Sequence, residues 1–124
     1  MDGVYTVSRI EADGEALGTA AIERFGKTIW CTQGVLVTPG RGLFDLGWDM
    51  PFELDTTATP KRIVLRARGP NGPLRFNGIY RLDGSDLTIA LNESGEDPTF
   101  PAGFKTRMGS PFIVFTCKWW GPTP

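Results

Sequence analysis

The clearest hydrophobic pattern in the chain lies in residues 78–91. Apolar residues alternate with polar or small ones from Leu87 through Ile89 to Leu91, and a period of two is typical of a strand with one buried face. Gly84 interrupts the pattern in its middle, where glycine can adopt the positive φ that a tight connection needs. The pattern therefore predicts a β-hairpin over these residues.

The same period of two recurs along the chain and predicts further short strands, separated by turns that contain glycine and proline. The longest alternation runs from Phe44 to Leu54, with an apolar residue at every even position. A helical spacing occupies residues 15–25 instead and predicts one short helix there. The other predicted strands cover residues 4–11, 28–32, 35–38, 62–68, 74–78, 104–107 and 111–120.

The last predicted strand, residues 111–120, differs from the others because both of its faces are apolar. Phe112 and Val114 lie on one face, and Phe115 and Cys117 lie on the other. A strand of this kind is covered on both sides. We therefore expect it to pack against the core and also against a second element, such as the short helix or another subunit.

About eight short strands with a turn roughly every 8–12 residues are typical of an all-β sandwich or barrel. Closing an antiparallel meander into a barrel removes the exposed edges that it would otherwise leave. We therefore predict that residues 1–124 form one domain, a small antiparallel up-and-down barrel of about eight strands with one short helix near residues 15–25.

The charge balance narrows the range of partners. Thirteen basic and fourteen acidic residues give a net charge of −1, so no global field draws the chain to nucleic acid or to a membrane surface. No apolar run approaches the roughly 18 residues of a membrane-spanning helix, and the first residues lack the pattern of a signal peptide, so none is expected. A cytoplasmic location is the default expectation, and neither nucleic acid nor membrane is an expected partner.

Histidine is absent from the sequence. This excludes the commonest general base, the usual haem and zinc ligand, and the Ser-His and Cys-His nucleophile pairs. Cys31 and Cys117 lie inside predicted strands, and without a secretory signal we expect two buried free thiols rather than a disulfide. A zinc site built on two cysteines would need added carboxylates, so neither a metal nor another cofactor is expected.

Five arginines lie on two predicted strands that we expect to be neighbours, namely Arg62, Arg66, Arg68, Arg75 and Arg81. Their positions alternate with the apolar ones, which favours a solvated outer face. The alternatives are a cationic patch for an anionic partner and a single inward arginine that binds a carboxylate.

Two acidic groups are also visible in the sequence. Asp45, Asp49 and Glu53 share one strand face and are expected to meet solvent, although burial of one of them would raise its pKa and create a general base. Glu93, Glu96 and Asp97 form an acidic loop, and their spacing does not match that of a calcium-binding loop.

Aromatic residues supply the candidate ligand-binding positions. An eight-stranded barrel has room either for packed side chains or for one small ligand, and the sequence leaves both open. In the second case the site is an apolar pocket with a few polar anchors. The residues expected to line or fill the interior are Trp30, Phe44, Trp48, Phe52, Phe76 and Tyr80.

Several stretches of the chain resemble a known family. They are Gly3-x-Tyr5 in the opening strand, the Asp13-Gly14 turn, residues 60–65, the hairpin at 78–87, and Phe104 with Gly109-Ser110 near the end. They are similar to the small bacterial lipocalin-like domain catalogued as an uncharacterised Planctomycetes-type domain. The resemblance covers nearly the whole chain, with Tyr5 where the family has tryptophan and Ala90 where it often has cysteine. It implies a lipocalin-like barrel, and it carries over no catalytic residue.

Three functional hypotheses follow. The first, which we favour, is non-enzymatic binding of a small apolar or amphipathic molecule in the barrel cavity. The second is a cyclase or isomerase that holds a flexible apolar substrate by shape, with Tyr80 and Glu53 as catalytic candidates beside Trp30 and Trp48. The third is a protein-interaction module or homodimer that uses strand 112–120, with Trp119 or Trp120 in the interface.

Overall fold

In a computed structural model the chain forms a closed antiparallel β-barrel of eight strands with one short helix, as the sequence predicts. The structure describes residues 1–25, 27–37, 49–69, 71–94 and 97–122. The elements in chain order are β1 (Gly3–Ala12), β2 (Glu15–Ala16), α1 (Thr19–Phe25), β3 (Thr28–Thr32), β4 (Val35–Val37), β5 (Asp49–Asp55), β6 (Arg62–Gly69), β7 (Gly72–Asp83), β8 (Asp86–Asn92) and β9 (Phe112–Gly121).

Pairing between β1 and β9 closes the barrel, because every other strand of the ring pairs antiparallel with its neighbour in the order β1-β3-β4-β5-β6-β7-β8-β9. The short strand β2 lies outside this ring and pairs only with the end of β1, where Glu11 faces Ala16. Ring closure satisfies the edges that an open meander would expose.

The core lies inside the ring and is built from the alternating inward side chains of its strands. Fully buried members include Ile29 of β3, Leu36 of β4, Met50 of β5, Phe76 of β7 and Phe115 of β9. Burial of this apolar surface is the main favourable term for folding.

Cys31 and Cys117 both belong to this core as free thiols, which confirms the prediction. Burial raises the pKa of each thiol to about 12, so both stay protonated at neutral pH. A protonated and buried thiol behaves as a small apolar side chain.

The predicted hairpin forms from β7 and β8. Asp83 pairs with Asp86 at its tip, and Gly84 adopts a φ of 60° between them. A tight turn whose central residue has a positive φ matches the twist of the flanking strands, and glycine adopts a positive φ without a steric penalty. The local sequence is therefore sufficient to define this element.

The predicted helix is shorter than expected. Residues 15–16 form β2, and α1 begins only at Thr19. The turn at Asp13 and Gly14 folds the chain back onto β1, and the Leu17 N–H then donates to the Ile10 carbonyl at 2.8 Å. Strand pairing therefore takes the first residues of the helical pattern. Among the described residues no helix is both long and apolar enough to cross a membrane.

The strand predicted at residues 104–107 is wrong, because this segment is irregular. It belongs to the β8–β9 loop (residues 93–111), of which residues 97–111 run along the outer wall of the barrel. The Thr106 N–H donates to the Glu11 carboxylate at 2.9 Å rather than to a neighbouring strand. A side chain on β1 therefore determines the conformation of this segment.

The β8–β9 loop also explains why both faces of β9 are apolar. Phe115 and Cys117 face the core, whereas Val114 faces outward and joins Ile79 and Ala90 in a small buried cluster. Phe104 of the loop packs on this cluster. The element that covers the outer face is thus the loop, and not the helix that the sequence suggested.

Candidate functional site

The structure places three of the six predicted ligand-binding aromatics inside the barrel. Phe76 and Tyr80 of β7 belong to the buried core, and Phe52 of β5 packs against it. Phe44 and Trp48 lie outside the described residues.

Trp30 is a correction to the predicted set. It alternates along β3 with Ile29 and Cys31, both of which belong to the core, so its side chain faces away from the interior. Trp30 pairs with Val4 of β1 and is half-buried on the outer wall. The period of two was correctly predicted here, but tryptophan occupies the outer face of the strand.

A cavity of about 360 Å³ lies where β7 meets the loop between β5 and β6. We call it the Tyr80 cavity. Residues of the 56–61 segment line it together with Tyr80, Arg81, Leu82 and Phe104. By topology the β3–β4, β5–β6 and β7–β8 connections share one end of the barrel, so the cavity lies at that end.

The polar groups around the Tyr80 cavity are held in place by the adjoining loop. The Tyr80 N–H donates to the Lys61 carbonyl at 3.0 Å. Asp55 accepts hydrogen bonds from the Thr57 hydroxyl at 2.6 Å and from the Thr57 N–H at 2.9 Å, and these bonds lower the pKa of the Asp55 carboxyl. Both contacts give the 56–61 segment a defined conformation.

The Tyr80 hydroxyl stays protonated at neutral pH. Burial raises the pKa of the phenol above its ordinary value of 10.0, and the negative charge of Asp55 adds to the effect. Among the described residues no group is hydrogen-bonded to this hydroxyl. The Tyr80 hydroxyl therefore keeps a proton that it can donate in a hydrogen bond.

A second and larger space, of about 980 Å³, lies between the β8–β9 loop and the barrel wall. We call it the cationic groove. It is lined by the 102–107 segment together with Arg81, Ser110 and Phe112. Lys105 and Arg107 come from the loop and are exposed, whereas Arg81 comes from β7. Three cations therefore line this groove.

The loop that forms the groove is anchored to the turn between β1 and β2. Glu11 accepts hydrogen bonds from the Thr106 N–H at 2.9 Å and the Thr106 hydroxyl at 3.1 Å. The Gly14 N–H donates to the same hydroxyl oxygen at 2.8 Å, and the Gly109 N–H donates to Asp13 at 3.1 Å. The bonds from Thr106 lower the pKa of the Glu11 carboxyl, so the anchor is charged at neutral pH.

Two buried asparagine side chains anchor residues 98 and 99 of this loop. Asn92 is fully buried and donates to the Thr99 carbonyl at 3.0 Å. Asn77 is also buried and donates to the Pro98 carbonyl at 3.0 Å. Because a buried polar group is costly without a partner, these bonds keep the loop on the barrel wall.

The catalytic candidates of the enzyme hypothesis do not come together. Glu53 alternates with Phe52 on β5, faces outward and is exposed, and its carboxylate forms an ion pair with Arg66 at 3.3 Å. Tyr80 faces the interior. Trp48, like Asp45 and Glu96, lies outside the described residues. Within the described part of the chain, no three metal-ligating side chains converge on one point.

The arginine prediction is confirmed on the described strands. All five residues are exposed, and their positions alternate with the core residues of β6 and β7. Asp49 and Glu93 are exposed as well. Two of the arginines stack on loop phenylalanines, with Arg62 at 4.2 Å from the Phe100 centroid and Arg81 at 4.7 Å from that of Phe104.

Sequence reasoning missed three loop residues of the site. Phe104 lines both spaces, and Lys105 and Arg107 line the groove. One signal was present in the chain. A connection of the length of the β8–β9 loop is uncommon in a compact domain unless it has a function of its own. The apolar outer face of β9 was a second sign that this connection would lie on the barrel.

A scan against models of known protein families found no match, and searches of curated proteins and of solved structures found none either.

Proposed function

We propose that this protein binds a small amphipathic molecule, without covalent chemistry, in the Tyr80 cavity at one end of its barrel. The observation that carries the proposal is the position of Tyr80, which belongs to the buried core and also lines the cavity. A volume of about 360 Å³ is within the range of small-molecule sites. An eight-stranded barrel is also wide enough to hold one small ligand.

The chemistry of the walls supports an amphipathic ligand. Pro60, Leu82 and Phe104 provide apolar surface, and Lys61 and Tyr80 are lining residues that carry polar groups. A few oriented polar groups in a mostly apolar pocket are typical of sites that hold one molecule in one orientation. The ligand's apolar part would displace water from the walls, and its polar end would accept a hydrogen bond from Tyr80.

The test is a titration with decan-1-ol, an uncharged amphipathic probe. Binding is monitored by NMR through the backbone amide chemical shifts of isotopically labelled protein. We expect saturable shifts confined to residues 56–61 and 80–82. Leu82→Trp fills the cavity and should abolish them. Leu54→Trp is the matched control, because Leu54 is 39% exposed against 44% for Leu82 and does not line the cavity. Absence of saturable shifts, or equal binding by the Leu82 variant, would refute the proposal.

A further inference from the structure

The Tyr80 cavity and the cationic groove share two wall residues, Arg81 and Phe104. The guanidinium carbon of Arg81 lies 4.7 Å from the centroid of the Phe104 ring. The stacked pair is therefore a common wall, with the Tyr80 cavity on one side and the groove on the other. One elongated molecule that crosses this wall contacts both spaces.

The groove presents positive charge that no described carboxylate neutralises through an ion pair. Arg81, Lys105 and Arg107 line it, and none of them forms an ion pair with a carboxylate of the described residues. No acidic side chain from the described part of the chain lines the groove. Cations concentrated in a concave site attract anions more strongly than the same cations dispersed over a surface.

Two carboxylates that contact the 104–109 segment are already engaged. Glu11 accepts from the Thr106 N–H, and Asp13 accepts from the Gly109 N–H. Both therefore bind the backbone of the loop and anchor it. Because Thr106 is buried against the barrel between two exposed neighbours, the cations on either side of it are held at the groove.

We propose that the two spaces form one composite site for an amphipathic anion. Its apolar body lies against Tyr80 and Leu82, and its carboxylate or phosphate head lies beside Arg81, Lys105 and Arg107. This inference rests on the proposed function and adds the charge of the ligand to it. Arginine binds both head groups through paired N–H donors, and such charge-assisted bonds are stronger than bonds between neutral groups.

The experiment compares decanoate and decyl phosphate with decan-1-ol by titration calorimetry at low salt. Both anions should bind at least about tenfold more tightly than the alcohol, because one charge-assisted hydrogen bond contributes about this factor. Added salt should reduce the difference, since exposed charges are screened. The anion that binds with the higher affinity identifies the preferred head group.

The double variant Lys105→Gln/Arg107→Gln removes two cations that line only the groove. It should lose most of the preference for the anions and keep the wild-type affinity for decan-1-ol. The control Arg66→Gln/Arg68→Gln removes the same charge from exposed positions of β6 that line neither space, and it should keep the preference.

Two results would overturn the inference while the proposed function stands. They are equal affinity of the wild type for alcohol and anions, and an unchanged anion preference in the Lys105/Arg107 variant. Failure of all three probes to bind would overturn the inference and the proposed function together.

Discussion

Among single residues, Gly78 occupies the tightest position in the β7–β8 hairpin. A Cβ atom at this position would lie 2.5 Å from the Ala90 carbonyl oxygen and 2.6 Å from a methyl carbon of Leu91. The backbone oxygen cannot move away without disturbing the ladder between β7 and β8. The absence of a side chain therefore allows the two strands to approach each other beside Tyr80.

Gly78→Ala should lower the free energy of unfolding by about 1–3 kcal/mol, because the added methyl group overpacks the core. Urea denaturation measures the change. Gly121→Ala is the matched control, since Gly121 also lies in a strand but a Cβ atom added there would have no other atom within 4 Å. A Gly78 variant as stable as the Gly121 variant would contradict this account of the hairpin.

Among the elements, the β8–β9 loop depends on the β1–β2 turn for its conformation. Glu11 is the main anchor, because it accepts two hydrogen bonds from Thr106 and one from Arg9 at 3.1 Å. Those bonds hold the pKa of Glu11 below its ordinary value of 4.5. A depressed pKa in the folded state means that ionisation of Glu11 stabilises the fold.

This contribution should be complete above about pH 4.5, the ordinary value, and should disappear as the pH falls through the lower folded-state value. Glu11→Gln should therefore lower stability by roughly 1–3 kcal/mol at neutral pH and flatten the loss of stability in acid. Urea denaturation at about pH 7 and about pH 3 tests both effects. The control is Glu15→Gln on the exposed strand β2, which should have the stability of the wild type at neutral pH. If Glu11→Gln also has wild-type stability, Glu11 does not anchor the loop.

At the scale of the whole molecule, the end of β9 exposes apolar surface that the fold does not cover. Trp119 is 46% exposed and Trp120 is 73% exposed. Large exposed apolar side chains are candidates for a contact site, and neighbouring residues of a strand present them on its two opposite faces. The homodimer predicted from the sequence stays a prediction, and these two residues are where it would form.

We expect the protein to self-associate at high concentration through this surface. Sedimentation velocity should show a concentration-dependent increase in mass, and Trp120→Gln should shift the association to at least about tenfold higher concentration. Met108→Gln is the control, because Met108 is 87% exposed on the β8–β9 loop and away from the tryptophans in sequence. A strictly monomeric mass at all concentrations would reject the dimer.

The barrel could be predicted largely from the sequence because the strand signal is local. The alternation along Leu87, Ile89 and Leu91, together with a glycine at the turn, is enough to define the β7–β8 hairpin and its buried face. The same alternation placed the arginines outside. The alternation also holds at Trp30, but the inward position predicted for its side chain was wrong, because an aromatic residue favours a strand on either of its faces.

The candidate site could not be predicted in the same way. The segment at 104–107 has no periodicity that survives folding, and its conformation comes from the contact between Glu11 and Thr106, which are 95 residues apart in the chain. Loop residues such as Lys105 and Arg107 become neighbours of Arg81 through that contact and the other long-range contacts of the loop.

The sequence by itself determined most of the strands and most of the turns, and it determined the buried face where the alternation is regular, because these depend on neighbours within a few positions. The tertiary structure alone decided that β1 meets β9, that the β8–β9 loop covers the outer wall, and that two spaces share Arg81 and Phe104. Those features depend on long-range hydrogen bonds and packing, which no local pattern records.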